Sequence, residues 1–249
     1  MGEMGKCEDG KFTRSEALLG SEAMARLKAA RVLVVGVGGV GSWCAEALVR
    51  TGLGRITLMD DDVVVESNIN RQCPATMEAI GRAKVEAMAE RLRAINPKCE
   101  VTPICERFSA GQSNNLNNRT IEQFSLVVDA IDSVDCKAEL ILGATEAGVP
   151  LVSSMGAALR LDPTKVKVTR FEKVEGDGLA KALRQRFRKL GRCPKGRFGC
   201  VWSTEHAIEQ SNNPNNRTIP KGSLMPVTAT FGMCLASETI RILTKGEMK

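Results

Sequence analysis

The chain has 249 residues, of which 43% are hydrophobic and 26% charged, as is typical of a globular protein built on one large domain. It contains no run of about 18 apolar residues, so no membrane span is expected. The amino-terminal segment lacks an apolar signal core, which favours the cytoplasm over secretion. Of the formal net charge of +6, residues 160–197 hold a disproportionate share, with 13 Lys and Arg against 4 Asp and Glu.

Cysteine and histidine content limits the metal chemistry. The nine cysteines include no CxxC pair, and their irregular spacing favours reduced thiols over a disulfide framework. His206 is the single histidine, so we expect no zinc site. Cys200 is a candidate thiol nucleophile, although a small buried apolar role is the simpler interpretation.

Apolar runs alternate with helical patterns from residue 31 to about residue 155. The first strand is predicted at Arg31–Val35, a continuous β-branched run, and a helix follows at Ser42–Arg50. The later elements are predicted as strands at Ile56–Met59, Val101–Ile104, Leu126–Ala130 and Val149–Ser153, with helices at Met77–Ile95 and at Cys136–Ala147, capped by Gly148. This alternation predicts a Rossmann-like, doubly wound α/β fold with a mainly parallel sheet.

The pattern changes after residue 155. Short β-like runs at Ala157–Leu161 and Val166–Phe171 predict an antiparallel hairpin, and a basic helix is predicted at Leu179–Leu190. Residues 191–222 are predicted as loop, and an apolar helix at Ala229–Leu243. We therefore expect a helical arm at residues 1–30, a nucleotide-binding core at 31–155 and a smaller antiparallel and helical extension at 156–249.

A nine-residue segment occurs twice. SNNLNNRTI at Ser113–Ile121 recurs with one change as SNNPNNRTI at Ser211–Ile219. Asn-rich runs favour loops and turns. Two interpretations remain open: unrelated surface loops, or two loops that meet at one functional surface.

A glycine motif lies between the first strand and the following helix. Gly36, Gly38 and Gly41 fit the G-x-G-x-x-G pattern, in which backbone N–H groups and a helix N-terminus approach a phosphate. Asp60 ends the second strand 19 residues after Gly41, where a carboxylate can bind a ribose hydroxyl. Taken alone, these residues fit NAD as well as ATP.

The next segment, MDDDVVVESNINRQ, favours ATP. Arg71 and, 13 residues later, Lys84 form a basic pair that suits a triphosphate, because cations stabilise the charge that develops on a leaving pyrophosphate. Asn68 is a candidate donor to a phosphate or sugar oxygen. Three further residues complete the expected nucleotide site: Gly39, Asp62 and Gln72.

Two carboxylates lie near the end of the fourth predicted strand. Asp129 and Asp132 lie at its carboxyl end, where open α/β sheets bind ligands. Asp132 is the better candidate for Mg²⁺ because it lies beyond the apolar run, although either residue could simply cap the next helix.

The predicted helix Leu179–Leu190 suits a phosphate backbone. It carries five cations, and four of them are candidates for nucleic-acid binding, with a solvated face as the alternative: Lys181, Arg184, Arg188 and Lys189.

Together these motifs resemble the ubiquitin-activating-enzyme-like (ThiF/MoeB-like) superfamily, and within it the tRNA threonylcarbamoyladenosine dehydratase (TcdA/CsdL) family. The resemblance extends from about residue 12 to 243 and includes FTRSEALLG, GVGGVGS, SNINRQ, DAIDSVDCKAELI and WSTE. It implies an ATP- and Mg²⁺-dependent adenylation of the threonylcarbamoyladenosine carboxylate in tRNA, followed by cyclising dehydration. It further implies a homodimer in which Arg14 reaches the partner's ATP site, and a possible sulfur-transfer or redox partner protein.

Three alternatives remain open at this stage. The first is an enzyme that adenylates the carboxyl terminus of a ubiquitin-like or sulfur-carrier protein, although the CxxC zinc pairs of such relatives are missing here. The second is a degenerate nucleotide-binding scaffold, against which Arg71, Lys84 and Asp132 argue. The third is an NAD-dependent dehydrogenase.

Overall fold

A computed structural model describes residues 10–109, 120–209 and 220–245. In these ranges the strands are β1 (Arg31–Val35), β2 (Arg55–Met59), β3 (Glu100–Ile104), β4 (Leu126–Asp129), β5 (Leu151–Ser154), β6 (Val166–Arg170) and β7 (Gly199–Ser203). They form one sheet in the order β3-β2-β1-β4-β5-β7-β6. The helices are α1 (Thr13–Leu19), α2 (Ser21–Ala29), α3 (Gly41–Thr51), α4 (Lys84–Ile95), α5 (Val134–Glu146), α6 (Gly178–Leu190) and α7 (Met225–Lys245). None of these helices is long and apolar enough to cross a membrane.

Helices cover both faces of the sheet. Alternate residues of β1 point to opposite faces, so Val32 and Val34 join the core that includes α3, α4 and α7. Leu33 and Val35 join the second core, which includes α5 and α6. Six strands run parallel and only β6 pairs antiparallel, with β7. The architecture confirms the predicted Rossmann-like, doubly wound fold.

The predicted helix Met77–Ile95 is wrong in its first part. The structure has a short 3₁₀ turn at Met77–Ala79, and α4 begins only at Lys84. Gly81 lies between them with φ of +85°, a left-handed conformation that interrupts a helix. This break places Lys84 in the first turn of α4.

The predicted hairpin is also wrong. Residues 157–161 form no strand, and β6 pairs instead with β7, which lies within the segment predicted as loop. All five residues of β7 are buried between β5 and β6. The GCVWS sequence of β7 is short and lies between basic segments that contain glycine and proline. It therefore shows no alternation of apolar and polar residues that would predict a strand. The repeated residues 113–119 and 211–219 lie outside the described ranges.

Candidate active site

A cavity of about 920 Å³ lies at the carboxyl ends of the parallel strands. One side, which we call the glycine-loop wall, is formed by lining residues from 35–40 and 59–72 together with Lys84. Another side, the Arg160 wall, is formed by lining residues from 154–160 and 177–182. Residues 130–134 after β4 also line the cavity, in agreement with the general position of ligand sites in open α/β sheets.

The glycines of the loop have two different tasks. A Cβ at Gly36, where φ is +90°, would lie 2.6 Å from the Ala130 oxygen, and a Cβ at Gly41 would lie 1.9 Å from the Gly36 oxygen. These two glycines therefore permit close packing, and Gly41 does not line the cavity as a direct ligand-binding residue would. Gly38 and Gly39 do line it, and the nearest atom to a Cβ on Gly38 would be the Gln72 Nε2, at 3.8 Å. The backbone at Gly38 is thus accessible to a ligand in the cavity.

Asp60 ties β2 to the glycine loop. One carboxylate oxygen accepts a hydrogen bond from the Val37 backbone N–H at 2.6 Å, and the other accepts from the Asp62 N–H at 2.9 Å. Burial raises the pKa of the Asp60 carboxyl, against the lowering effect of these two donors. Each oxygen keeps further acceptor capacity, so the side chain can also receive sugar hydroxyls.

Two cations lie on the glycine-loop wall. Lys84 is only 5% exposed, and its Nζ donates to the exposed Asp62 carboxylate at 2.6 Å. The Arg71 side chain packs against Gly39, and its Nη1 donates to the Ser67 carbonyl at 2.9 Å. An ammonium has three donors and a guanidinium five, so both groups retain donors for an anion in the cavity.

Two amide side chains fix the segment between β2 and α4. Asn68 is buried, and its oxygen accepts from the Val65 N–H at 3.2 Å, which leaves its amide nitrogen as a donor for a ligand. The Gln72 Oε1 is buried and has no hydrogen-bond partner among the described residues. Because Gln72 lines the cavity, we expect a bound ligand to donate a hydrogen bond to this oxygen.

The two carboxylates at the carboxyl end of β4 have different surroundings. Asp129 is fully buried, with Lys137 Nζ at 2.8 Å and the Ser153 hydroxyl at 2.7 Å. Lys137 also donates to the Ile131 carbonyl at 3.0 Å, so this cluster shapes the turn that carries Asp132. Asp132 itself is exposed and lines the cavity. Of these two carboxylates, Asp132 is therefore the one that can reach a cation in the cavity.

Other predicted site residues lie elsewhere in the chain. Arg14 is exposed on α1 and does not line the cavity of its own chain. On α6, Lys181, Arg188 and Lys189 are exposed. Arg184 differs, because its Nη2 donates to the carbonyls of Phe171 and Val174.

These bonds favour a structural role for Arg184, whose guanidinium also stacks 4.9 Å from the centre of the Phe171 ring. Cys200 is 0% exposed, and burial raises the pKa of its thiol well above the usual value. That burial supports the apolar interpretation of Cys200 over a nucleophilic one.

Sequence reasoning missed several cavity residues. Arg107 lines the cavity just after β3, and the rule that ligands bind at carboxyl strand ends could have found it. Arg160 and Asp177 form an ion pair at 3.1 Å, and both side chains are buried. No local sequence motif predicts this pair. Glu205 of the WSTE segment accepts from the Leu161 N–H at 3.0 Å, which anchors the chain that follows Arg160.

Comparison with known proteins identifies the family. The model of the ThiF family matches residues 12–249. The tRNA threonylcarbamoyladenosine dehydratase of Escherichia coli (strain K12) is 38% identical, over 93% of this chain and 92% of its own. The Bacillus subtilis (strain 168) protein of the same name is 40% identical, over 73% of this chain and 70% of its own. The crystal structure of E. coli TcdA in complex with ATP matches with a TM-score of 0.83 at 39% identity, covering 94% of this chain and 93% of that one. The chain therefore belongs to the ThiF family.

Proposed function

We propose that this chain adenylates the carboxylate of threonylcarbamoyladenosine in tRNA and then closes the activated group into a ring. The observation that carries the proposal is the convergence of Arg71, Lys84 and Asp132 with the glycine loop on one cavity. Relatives named for this dehydratase match this chain over 92% and 70% of their own length, which supports the proposal.

ATP fits the glycine-loop wall. The open backbone at Gly38 suits phosphates, and the Asp60 carboxylate suits the ribose hydroxyls. In the proposed complex Arg71 and Lys84 bind the phosphates, with Asn68 and Gln72 as further donors. Lys84 then exchanges part of its contact with Asp62 for a contact with a phosphate oxygen.

Asp132 is the proposed ligand for Mg²⁺. It is an exposed carboxylate on the cavity, and hard cations take oxygen ligands together with phosphate oxygens. When bound, the cation supplies charge neutralisation at the phosphates. The chain's own part is to hold the carboxylate in place, which it does through the buried Asp129–Lys137 pair beneath the turn.

The proposed reaction has two steps. The substrate carboxylate attacks the α-phosphorus of ATP, and pyrophosphate leaves as Arg71 and Lys84 stabilise its charge. A nitrogen or oxygen of the same threonylcarbamoyl group then attacks the activated carbonyl and loses its proton. AMP departs with one former carboxylate oxygen, so the product is a ring that has lost one water in total.

Arg14 and the basic helix extend the proposal beyond one cavity. Helix α1 buries none of its residues within the chain, and Leu18 is 85% exposed, which supports an arm that packs on a second copy. We place Arg14 in the partner's ATP site and assign tRNA backbone contacts to Lys181, Arg188 and Lys189. A sulfur-transfer or redox partner stays a prediction.

The product tests this function. Purified protein is incubated with ATP, Mg²⁺ and tRNA that carries threonylcarbamoyladenosine, and the digested nucleosides are analysed by mass spectrometry. We expect a nucleoside that is lighter than threonylcarbamoyladenosine by the mass of one water. One AMP should be released for each such nucleoside that forms. An unchanged nucleoside, with the protein folded and ATP bound, would contradict the proposal.

A further inference from the structure

The guanidinium of Arg160 is buried and incompletely paired. Arg160 lines the cavity yet is only 4% exposed. Its Nε donates to the Gly156 carbonyl at 3.0 Å and its Nη2 to the Asp177 carboxylate at 3.1 Å. Its Nη1 is buried and has no hydrogen-bond partner in the described part of the chain. A buried charged donor without a partner is costly, so a group that binds there is expected.

Asp177 holds this arginine in place. One of its oxygens accepts from the Ala180 N–H at 2.9 Å and so caps α6, and the other accepts from the Gly156 N–H at 3.2 Å. The carboxylate is therefore shared among two backbone donors and the Arg160 guanidinium. It neutralises the buried positive charge but leaves Nη1 without an acceptor.

The backbone next to Arg160 is constrained. Leu159 has φ of +62°, a left-handed conformation that is uncommon for any residue except glycine. Its N–H donates to the Gly222 carbonyl at 2.8 Å, and its carbonyl accepts from the Ile208 N–H at 2.8 Å. Such conformations persist only where the surroundings enforce them, and they concentrate at ligand sites. The constraint fixes the direction in which the next side chain leaves the backbone.

We infer that Arg160 binds the carboxylate of the acyl substrate and orients it toward the α-phosphate of ATP. This inference rests on the proposed function. The Nη1 group can donate a charge-assisted hydrogen bond to a carboxylate oxygen, and a single anion supplies the acceptor that Nη1 lacks. The buried position of Arg160 strengthens that contact relative to an exposed ion pair. Arg160 thus selects an acid over a neutral analogue.

The test compares an acid with its ester. Free threonylcarbamoyladenosine nucleoside and its carboxyl methyl ester are titrated into the protein with a non-hydrolysable ATP analogue present. For the wild type we expect roughly 10- to 100-fold tighter binding of the acid, as is typical of one charge-assisted hydrogen bond. Arg160→Gln should bind both compounds equally, and Arg160→Lys should recover part of the preference. The matched control is Arg93→Gln, which removes a donor to the Val101 carbonyl away from the cavity and should keep the full preference.

The outcomes separate the possibilities. A folded Arg160→Gln that keeps the full acid preference overturns the inference; if its affinities for acid and ester also fall equally, the arginine contacts a nucleotide phosphate or has a purely structural role. If neither variant folds, the inference is tested by a crystal structure of the wild type bound to the nucleoside acid and the ATP analogue. A carboxylate oxygen within about 3.2 Å of the Arg160 guanidinium supports the inference, and one beyond hydrogen-bond distance overturns it. Failure of the proposed function itself would appear separately, as no water loss from modified tRNA with the wild type.

Discussion

The glycine-loop wall and the Arg160 wall hold positive charge in different ways. Arg71 is half-buried and donates to the nearby Ser67 carbonyl, and Lys84 is paired with an exposed carboxylate. Arg160 is instead buried and paired with the equally buried Asp177. The first arrangement can exchange its partners for a highly charged polyphosphate at modest cost. The second is already neutralised and buried, which suits a single charge and strict selection.

The largest effect is expected at Arg71. Arg71→Ala should reduce the rate of adenylation by about 10²–10³, with a smaller effect on ATP affinity, because its charge acts on the leaving pyrophosphate. Single-turnover rates and calorimetric ATP titration measure the two quantities. Wild-type turnover in this variant would show that Arg71 takes no part in catalysis. The proposed difference between the two walls would then not hold.

The turn after β4 gives the next effect. Asp132→Ala should lower activity by roughly 10- to 100-fold, and excess Mg²⁺ should not fully restore it. A steady-state Mg²⁺ titration measures the loss. The matched control is Asp135→Ala, an exposed carboxylate on α5 that pairs with Arg186 outside the cavity, and it should stay active. Equal activities of the two variants would exclude Asp132 as the ligand.

Subunit mixing tests whether the glycine-loop wall needs a partner. Inactive Arg14→Ala chains mixed with inactive Arg71→Ala chains should regain roughly a quarter of the wild-type activity. In each mixed dimer one site receives both defects and the other receives neither. Absence of recovery, once subunit exchange has been confirmed by mass spectrometry, would show that Arg14 does not act across the dimer.

The basic helix should affect tRNA and leave ATP alone. Replacing Lys181, Arg188 and Lys189 with Ala should weaken tRNA binding and flatten its dependence on salt by roughly one unit per lost contact. Dissociation constants at several salt concentrations measure both effects. The control replaces three exposed cations from outside residues 160–197, namely Lys28, Arg93 and Lys98. Identical slopes for the two triple variants would mean that α6 is only a solvated face.

The smallest effect concerns stability away from the cavity. Burial would raise the pKa of Glu46, but hydrogen bonds from Arg91, Cys73 and Arg50 lower it from 4.5 to about 2. A lowered folded-state pKa stabilises the protein above pH 4.5, and this contribution is lost as the pH falls toward 2. Thermal unfolding of Glu46→Gln should therefore show a lower melting temperature at neutral pH and a shallower decline over that window. A decline as steep as that of the wild type would assign the acid sensitivity to other carboxylates.

The two walls also differ in how far sequence could predict them. The glycine loop and Asp60 were predictable because strand, turn and helix follow one another locally. The Arg160–Asp177 pair was not predictable from sequence. The two residues are brought together by the turn at Leu159, whose backbone conformation is left-handed, and by the cap that Asp177 forms at the start of α6. Strand β7 was missed for a related reason, since only its position between β5 and β6 makes GCVWS a strand. Likewise, the structural use of Arg184 depends on carbonyls that a helical pattern does not reveal.

The most direct test is the dependence of pyrophosphate release on the acceptor. ATP and Mg²⁺ are supplied to the wild-type protein with tRNA carrying threonylcarbamoyladenosine, with the same tRNA lacking that modification, or with a sulfur-carrier protein that has a free carboxyl terminus. We expect release with the modified tRNA and only background release with the other two. Release driven by the carrier protein, with none from modified tRNA, would contradict it.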